Sequence, residues 1–339
     1  MINSLRFTLI RLLVWLLNLL STDKADPSDL AYCYRLLLDR MPDPAGWQLH
    51  LRSIFSGFPR RALVAGFLDS AEFQSLHGQA QVQTVDTGAF RMAVDAEDPY
   101  IAPGIIAGQG YEPHVTAALL RELKPDSVFV DLGANMGWFS LTAAAVAKQG
   151  QVVAIEPNYS NVQLLYHSLI ANHFDNVRVL PFAVSDRPTR LRLNFVRSNG
   201  YVSPADDQVG GGTIVEGEAL DTLLGEIARV DILKMDIEGY EPVALRGMAG
   251  TLRRCRPVLL CEFHPAMIRA NSGVEPAAFL NSLVELGYQL AVIRPDGSES
   301  PPMDAAGILG EWERLNREHN AGDLMHLDLI GRPHSMARE

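Results

Sequence analysis

Two hydrophobic periods alternate along this chain, and the change from one to the other divides it. Residues 5–20 are almost all apolar, interrupted by Arg6, Thr8, Arg11 and Asn18. The unbroken run, Leu12 to Leu17, falls far short of the about 20 residues that a bilayer span needs. No small-residue cleavage site follows, which speaks against a secretory signal. The segment reads as a helix that packs on the next domain or on a second subunit. The alternative is an interfacial helix with Arg6, Arg11 and Trp15 at headgroup level, a peripheral contact with the inner face of a membrane. From Asp26 the period becomes helical. Asp26 caps a helix with Pro27 in its first turn, and Trp47, Leu51, Ile54 and Phe55 share a second helical face. A third helix runs from about Arg60 to Phe67, and Ser70-Ala71-Glu72-Phe73 opens a short capped one. Residues 78–100 are polar and weakly periodic, except that Phe90, Met92 and Val94 alternate and predict one arm of a hairpin.

Beyond residue 100 the pattern changes to short apolar runs separated by helical stretches. The runs are Val128–Val130 ending at Asp131, Val152–Ile155, Val177–Leu180, Val230–Asp236, Pro257–His264, Tyr288–Ile293 and Leu324–Ile330. Helices are predicted over 115–123, from an alanine-rich pattern after Gly137, over 160–172 and over 277–286. That alternation predicts an α/β fold around a mostly parallel sheet. Leu191, Leu193 and Phe195 alternate with polar residues, so 189–196 reads as a half-exposed hairpin strand. Residues 198–212, rich in Gly, Ser, Asp and Pro, read as a mobile loop near the site. Residues 294–322 read as a polar insert with a short helix near Glu311–Glu318. The domain division is an apolar helix (1–22), a small helical domain (23–78), a linker (79–100) and an α/β domain (101–332).

Composition narrows the class. Apolar residues make up 47% of the 339, enough for a large core, and the formal net charge is −11. An acidic chain argues against non-specific nucleic-acid binding, which needs a cationic surface. The cysteines, Cys33, Cys255 and Cys261, form no framework and no zinc-type cluster. A reducing, cytoplasmic setting fits them.

The chemistry lies at the strand ends, where open α/β sheets bind ligands. The first run ends Asp131-Leu132-Gly133-Ala134-Asn135-Met136-Gly137. Its glycines let a ligand approach the backbone, but the spacing is not that of a dinucleotide fingerprint. The second run ends in Glu156, placed to hold a ribose diol, and the third leads to Ala183-Val184, beside which an adenine can lie. Further on stands Lys234-Met235-Asp236-Ile237-Glu238-Gly239-Tyr240-Glu241. With Tyr111-Glu112-Pro113 and Ala183-Val184-Ser185-Asp186, these segments resemble the FkbM family of class I S-adenosylmethionine-dependent methyltransferases over about residues 100–290. The resemblance implies a seven-stranded Rossmann-like sheet, S-adenosyl-L-methionine as cofactor, and O-methylation of sugar or natural-product hydroxyls. By it, Asp131, Gly133, Asn135 and Gly137 line the methionine part, Glu156 holds the ribose, and Ala183 and Val184 border the adenine. Residues 37–73 resemble a small helical domain of unknown function that recurs in bacterial surface and glycan-associated proteins.

Strand alternation puts Lys234 with Asp236, and Glu262 with His264, on one side of neighbouring strand ends. Methyl transfer to a hydroxyl needs alignment and a base, for which Asp236 and His264 are the first candidates, with Lys234 and Glu262 beside them. The same carboxylates, Asp236, Glu238 and Glu262, with His264, are also a candidate Mg²⁺ set, although metal-free acid/base work is preferred. The expected activity is O-methylation of a saccharide hydroxyl on a surface glycan or its precursor. The rival acceptor is a polyketide or other small metabolite, and the rival class is a non-catalytic interaction protein. No nucleic-acid partner is expected.

Overall fold

The computed structural model describes residues 24–38, 40–77, 82–205, 212–225 and 227–334. The apolar segment 5–20 and part of the expected mobile loop lie outside the described residues. Thirteen strands are described, numbered in chain order. β1 (Val82–Asp86) and β2 (Arg91–Asp95) form an antiparallel hairpin. β3 (Val128–Leu132), β4 (Gln151–Ile155) and β5 (Val177–Leu180) open the main sheet. β6 (Ala183–Ser185), β7 (Thr189–Val196), β8 (Asn199–Pro204) and β9 (Thr213–Ala219) form a second, four-stranded sheet. β10 (Ile232–Met235), β11 (Val258–Phe263), β12 (Tyr288–Ile293) and β13 (Leu327–Pro333) complete the main one.

The main sheet has the order β12-β13-β11-β10-β3-β4-β5. β13 runs antiparallel to both neighbours, and the remaining pairings are parallel. One reversed strand inserted next to the edge of an otherwise parallel seven-stranded sheet is the class I methyltransferase topology. The chain turns from one half of the sheet to the other between β3 and β10, which makes their carboxyl ends the switch-point crevice.

Residue alternation explains how both faces are covered. Phe129 of β3 joins the core formed with helices Pro113–Glu122, Trp138–Val146 and Tyr159–Asn172. Its neighbours Val130 and Leu132 enter the opposite core, with helices Glu241–Gly247, Pro276–Glu285 and Ala305–His319. A parallel strand buried on both faces needs such an apolar run. Met136 and Met235 are both fully buried fillers of these cores.

In the N-terminal module, helices Pro27–Tyr32, Pro44–Phe55, Arg60–Leu68 and Ala71–His77 enclose Leu30, Tyr34, Ile54, Leu63 and Phe67. Asp26 caps the first helix, accepting from the Ser28 and Asp29 amides, while the Asp29 carboxylate accepts from the Asp26 amide at 2.8 Å. Such reciprocal capping satisfies donors that a helix start leaves free.

Three stretches differ from the sequence reading, while the hairpin expected from Phe90, Met92 and Val94 is present. The expected linker holds the β1–β2 hairpin, tied to helix Tyr159–Asn172 by the Ala93 amide on Ser168 Oγ at 2.9 Å. The first part of the expected mobile loop is β8, which pairs with β7 and buries Val202. The polar insert contains a full helix, Ala305–His319, capped by Asp304 and burying Ala305, Ile308 and Trp312. The last strand begins at Leu327, because Leu324 stands 74% exposed in the turn before it.

Candidate active site

A cleft enclosing about 1030 Å³ of space, part of it open to solvent, lies over the ends of β3, β4, β5 and β10. Its floor is the β3 turn. Gly133 has φ 79°, and a Cβ there would sit 1.9 Å from the Asp236 carbonyl oxygen. Only glycine lets the β3 and β10 loops meet this closely. Asn135 follows at φ 51°, and its Nδ2 donates to the Ser198 carbonyl at 3.0 Å. Gly137, at φ 99°, caps helix Trp138–Val146 and packs on Leu165, below the lining. Asp131 is also below it, fully buried. One of its oxygens accepts from Ser140 Oγ at 2.7 Å, and Oδ1 has no partner among the described residues.

Glu156 lines the wall at the end of β4. Its carboxylate accepts from the Asn135 amide and the Asn158 amide, each at 2.8 Å. Burial still outweighs those bonds and raises its pKa to about 7. Phe182, Ala183 and Val184 form the next wall, with Ile155 beside them. Opposite stand Tyr111 and Trp138. The indole Nε1 donates to Thr116 Oγ1 at 2.9 Å, and that hydroxyl donates to the Tyr111 carbonyl at 2.9 Å.

The β10 end supplies the charges. Lys234 Nζ lies 2.7 Å from Asp236 Oδ2 and 4.5 Å from the Phe139 ring centroid. Burial disfavours the ammonium, but Asp236, Glu112 and Asp131 outweigh it and hold the lysine charged. Asp236 is pushed up by burial and pulled down more strongly by Lys234 and by the Glu262 hydrogen bond, so it stays ionised. Glu262 moves the other way. Burial, with Asp236 and Glu238 alongside, raises it well above the usual range. It therefore carries a proton and donates to Asp236. Glu238, at φ 55°, is raised to about 7 by burial and Asp236. Glu112, at φ 41°, is also raised to about 7, chiefly by burial and by Asp236 and Asp328 against the pull of Lys234.

Of the residues singled out in the sequence, Gly133, Asn135, Glu156, Ala183, Val184, Lys234, Asp236, Glu238 and Glu262 line one cleft. Asp131, Gly137 and His264 do not line it. Pro265 starts a helix, so the strand alternation stops at Phe263, and His264 becomes that helix's N-cap, its Nδ1 accepting from the Met267 amide at 3.4 Å. Among the described residues, no group of three or more His, Cys, Asp or Glu side chains is arranged to hold a metal ion. Phe182, which opens the segment read as the adenine site, lines the cleft too; Tyr111 and Trp138 carry no such signal. Tyr111-Glu112-Pro113 stood out in the sequence, but nothing there joined a turn twenty residues upstream to the β3 end.

The lining fits an adenosyl sulfonium. Glu156 can meet a diol, Ile155, Phe182, Ala183 and Val184 offer an apolar slot, and Gly133 and Asn135 open the backbone at the floor. The surplus of carboxyl groups complements a cation. Residues 131–290 match the methyltransferase FkbM domain, and residues 20–77 match the domain of unknown function DUF4214. The hexuronic acid methyltransferase AglP of Haloferax volcanii is 26% identical over 177 residues, 49% of this chain and 64% of that protein. The methyltransferase sdnD of Sordaria araneosa is 26% identical over 164 residues, 38% of this chain and 63% of that one. The chain thus spans less than two thirds of the length of either relative. A solved FkbM methyltransferase from Methylobacillus flagellatus superposes with a TM-score of 0.39 at 15% identity, covering 88% of this chain and 58% of that one. The match to the methyltransferase FkbM domain thus falls within a sheet of class I topology, and the match to DUF4214 falls on the helical module before it.

Proposed function

We propose that the chain is an S-adenosylmethionine-dependent O-methyltransferase acting on a saccharide hydroxyl, on a surface glycan or its precursor. The observation that carries this is the cleft at the switch point, where Glu156 and the Gly133–Asn135 turn face the carboxyl cluster of β10 and β11. The saccharide class is supported by the name of the Haloferax relative. The acidic floor favours an acceptor that is uncharged at its reacting end.

When bound, the cofactor supplies an electrophilic methyl group on a sulfonium. The chain's own residues then have separable tasks. Glu156 and the β3 turn hold and orient. Lys234 fixes the Asp236 carboxylate, which can accept a hydrogen bond from a second hydroxyl of the acceptor, next to the reacting one. Glu238 takes the hydroxyl proton, since a base works best with a pKa near the working pH. Asp236, held ionised, is the weaker base, and His264 is turned away into its cap. The Mg²⁺ alternative has no grouped ligand set among the described residues. Among those residues no helix is long and apolar enough to cross a membrane. A cytoplasmic location with contact through residues 5–20 belongs to the same proposal.

The test is calorimetric titration with S-adenosylmethionine and S-adenosylhomocysteine, followed by labelled methyl transfer to saccharide and small-metabolite panels. Micromolar binding, lost in Glu156→Ala, with label on sugars, is the expected result. Label only on small metabolites would move the acceptor class, and no binding of either compound would leave a non-catalytic interaction protein.

A further inference from the structure

We infer that the N-terminal helical module is part of the cofactor cavity's construction, with Tyr32 acting as a positioning residue for the wall formed by Phe182. The inference rests on the cofactor reading above. It gives a task to a module whose family has none assigned.

Three contacts carry it. Tyr32, the last residue of helix Pro27–Tyr32, meets Phe182 edge to face, with ring centroids 5.6 Å apart at 89°. Phe182 directly precedes Ala183 and lines the cavity. It leaves β5 through Pro181 and is held there by one backbone bond, its amide to the Leu180 carbonyl at 3.0 Å. The second contact braces the neighbouring strand. Arg35 pairs with Glu216 at 2.9 Å. Glu216 adjoins Gly217, which is the β9 partner of Ala183. The third reaches the helix that follows Glu156. The Asp29–Arg60 pair, at 3.0 Å, keeps only 12% and 11% of its side chains exposed. Beside it Tyr166 of helix Tyr159–Asn172 packs against both the module's core and the main core. That helix's N-cap, Asn158, donates its amide to Glu156. The module therefore touches the cavity's construction at two strand ends at once.

Phe182 is a large ring at the edge of an open cleft. Without the Tyr32 ring, Phe182 keeps its packing on the main core but loses its edge-to-face partner, and the slot beside Ala183 and Val184 is held less firmly before a ligand arrives. Preorganised walls strengthen binding by reducing the ordering cost. Edge-to-face pairs are of a size that changes affinity about 3- to 10-fold.

The experiment is titration of the full chain with S-adenosylhomocysteine, at a temperature where each variant's melting curve shows it folded. Tyr32→Phe keeps the ring and should bind within about twofold of the parent. Tyr32→Ala should bind about 3- to 10-fold more weakly. If Tyr32 acts through Phe182, then Tyr32→Ala adds no further loss in a Phe182→Ala background. Should Tyr32→Ala fail to fold, Tyr32→Leu carries the same comparison. Parent-like affinity in the Tyr32 variant, or losses that multiply in the double variant, would overturn the inference. A purely structural Tyr32 would lower the melting temperature and leave affinity unchanged. Absence of binding in the parent chain overturns the cofactor reading itself and this inference with it, a result distinct from the others.

Discussion

At the scale of single residues, the site separates carboxyl groups by environment. Asp236 and Glu262 share a hydrogen bond, yet Lys234 keeps one ionised while burial keeps the other protonated. Pairs pushed apart in this way mark acid and base roles. Glu238, beside them, is raised to about 7. With Glu238 as base, kcat/KM rises with pH through about 7, because the working form is the deprotonated one. Glu238→Gln should lower kcat by about 100-fold or more and flatten that limb. His264→Ala provides the contrast. Burial and the nearby His326 lower the His264 pKa, and its ring serves as a helix cap. Its loss should cost about 1 kcal/mol of stability and leave the pH profile unchanged. A flattened profile in the His264 variant, with Glu238→Gln fully active, would exchange the two assignments.

At the scale of elements, function depends on how closely loops from different strands approach. Gly133 is the tightest of these approaches in the floor of the cleft. Gly133→Ala combines φ 79° with a Cβ 1.9 Å from the Asp236 carbonyl oxygen. It should destabilise by about 2–4 kcal/mol, read from urea denaturation. Gly108→Ala is the control, at φ 73° with no atom within 4 Å of the added carbon, and should cost about 1 kcal/mol. Equal losses would mean that the β3 and β10 loops do not touch. The same strand ends were the legible part of the sequence. A buried parallel strand needs an uninterrupted apolar run, so Asp131, Glu156 and Asp236 announce where each run stops. Helix Ala305–His319 is harder to read because Gly307 and Gly310 interrupt its first half and charged residues crowd its second, leaving Ala305, Ile308 and Trp312 as a thin stripe. The second arm of the hairpin expected at 189–196, β8, is hidden by the Gly and Ser content of residues 198–204. His264 was misplaced because alternation was carried one residue past the strand, into a helix that Pro265 starts. That Asp131 and Gly137 lie beneath the lining, and that Tyr32 reaches Phe182, depends on packing between distant segments, which periodicity does not encode.

At the scale of the whole molecule, the acidic excess of −11 includes a set of buried carboxyl groups around one cleft. Glu112, Glu156 and Glu238 are each raised to about 7, and Glu262 is raised well above the usual carboxylate range. The charged groups around them are Asp131, Lys234, Asp236, Asp328, His114 and His326. For a carboxyl group raised in the folded state, the native chain holds the proton longer than the unfolded one. Its contribution to stability is therefore complete below the unfolded value of about 4.5 and is lost as pH rises through about 7. The empty cleft should accordingly lose melting temperature between about pH 5 and 8 through these groups. A cation in the cleft reverses that tendency, because it favours the ionised carboxylates. Binding of the sulfonium cofactor should then release protons, and its affinity should rise with pH by up to about tenfold per unit for each proton released. S-adenosylhomocysteine has a neutral sulfur and lacks that driving force. Calorimetry at pH 6.5 in two buffers of different ionisation enthalpy measures the difference directly. The expected result is about half a proton or more released by S-adenosylmethionine beyond that released by the thioether. Equal proton counts for the two compounds would place the sulfonium out of reach of the carboxyl cluster. Proton release with both would assign the titration to the shared adenosyl contacts around Glu156 instead of the β10 end.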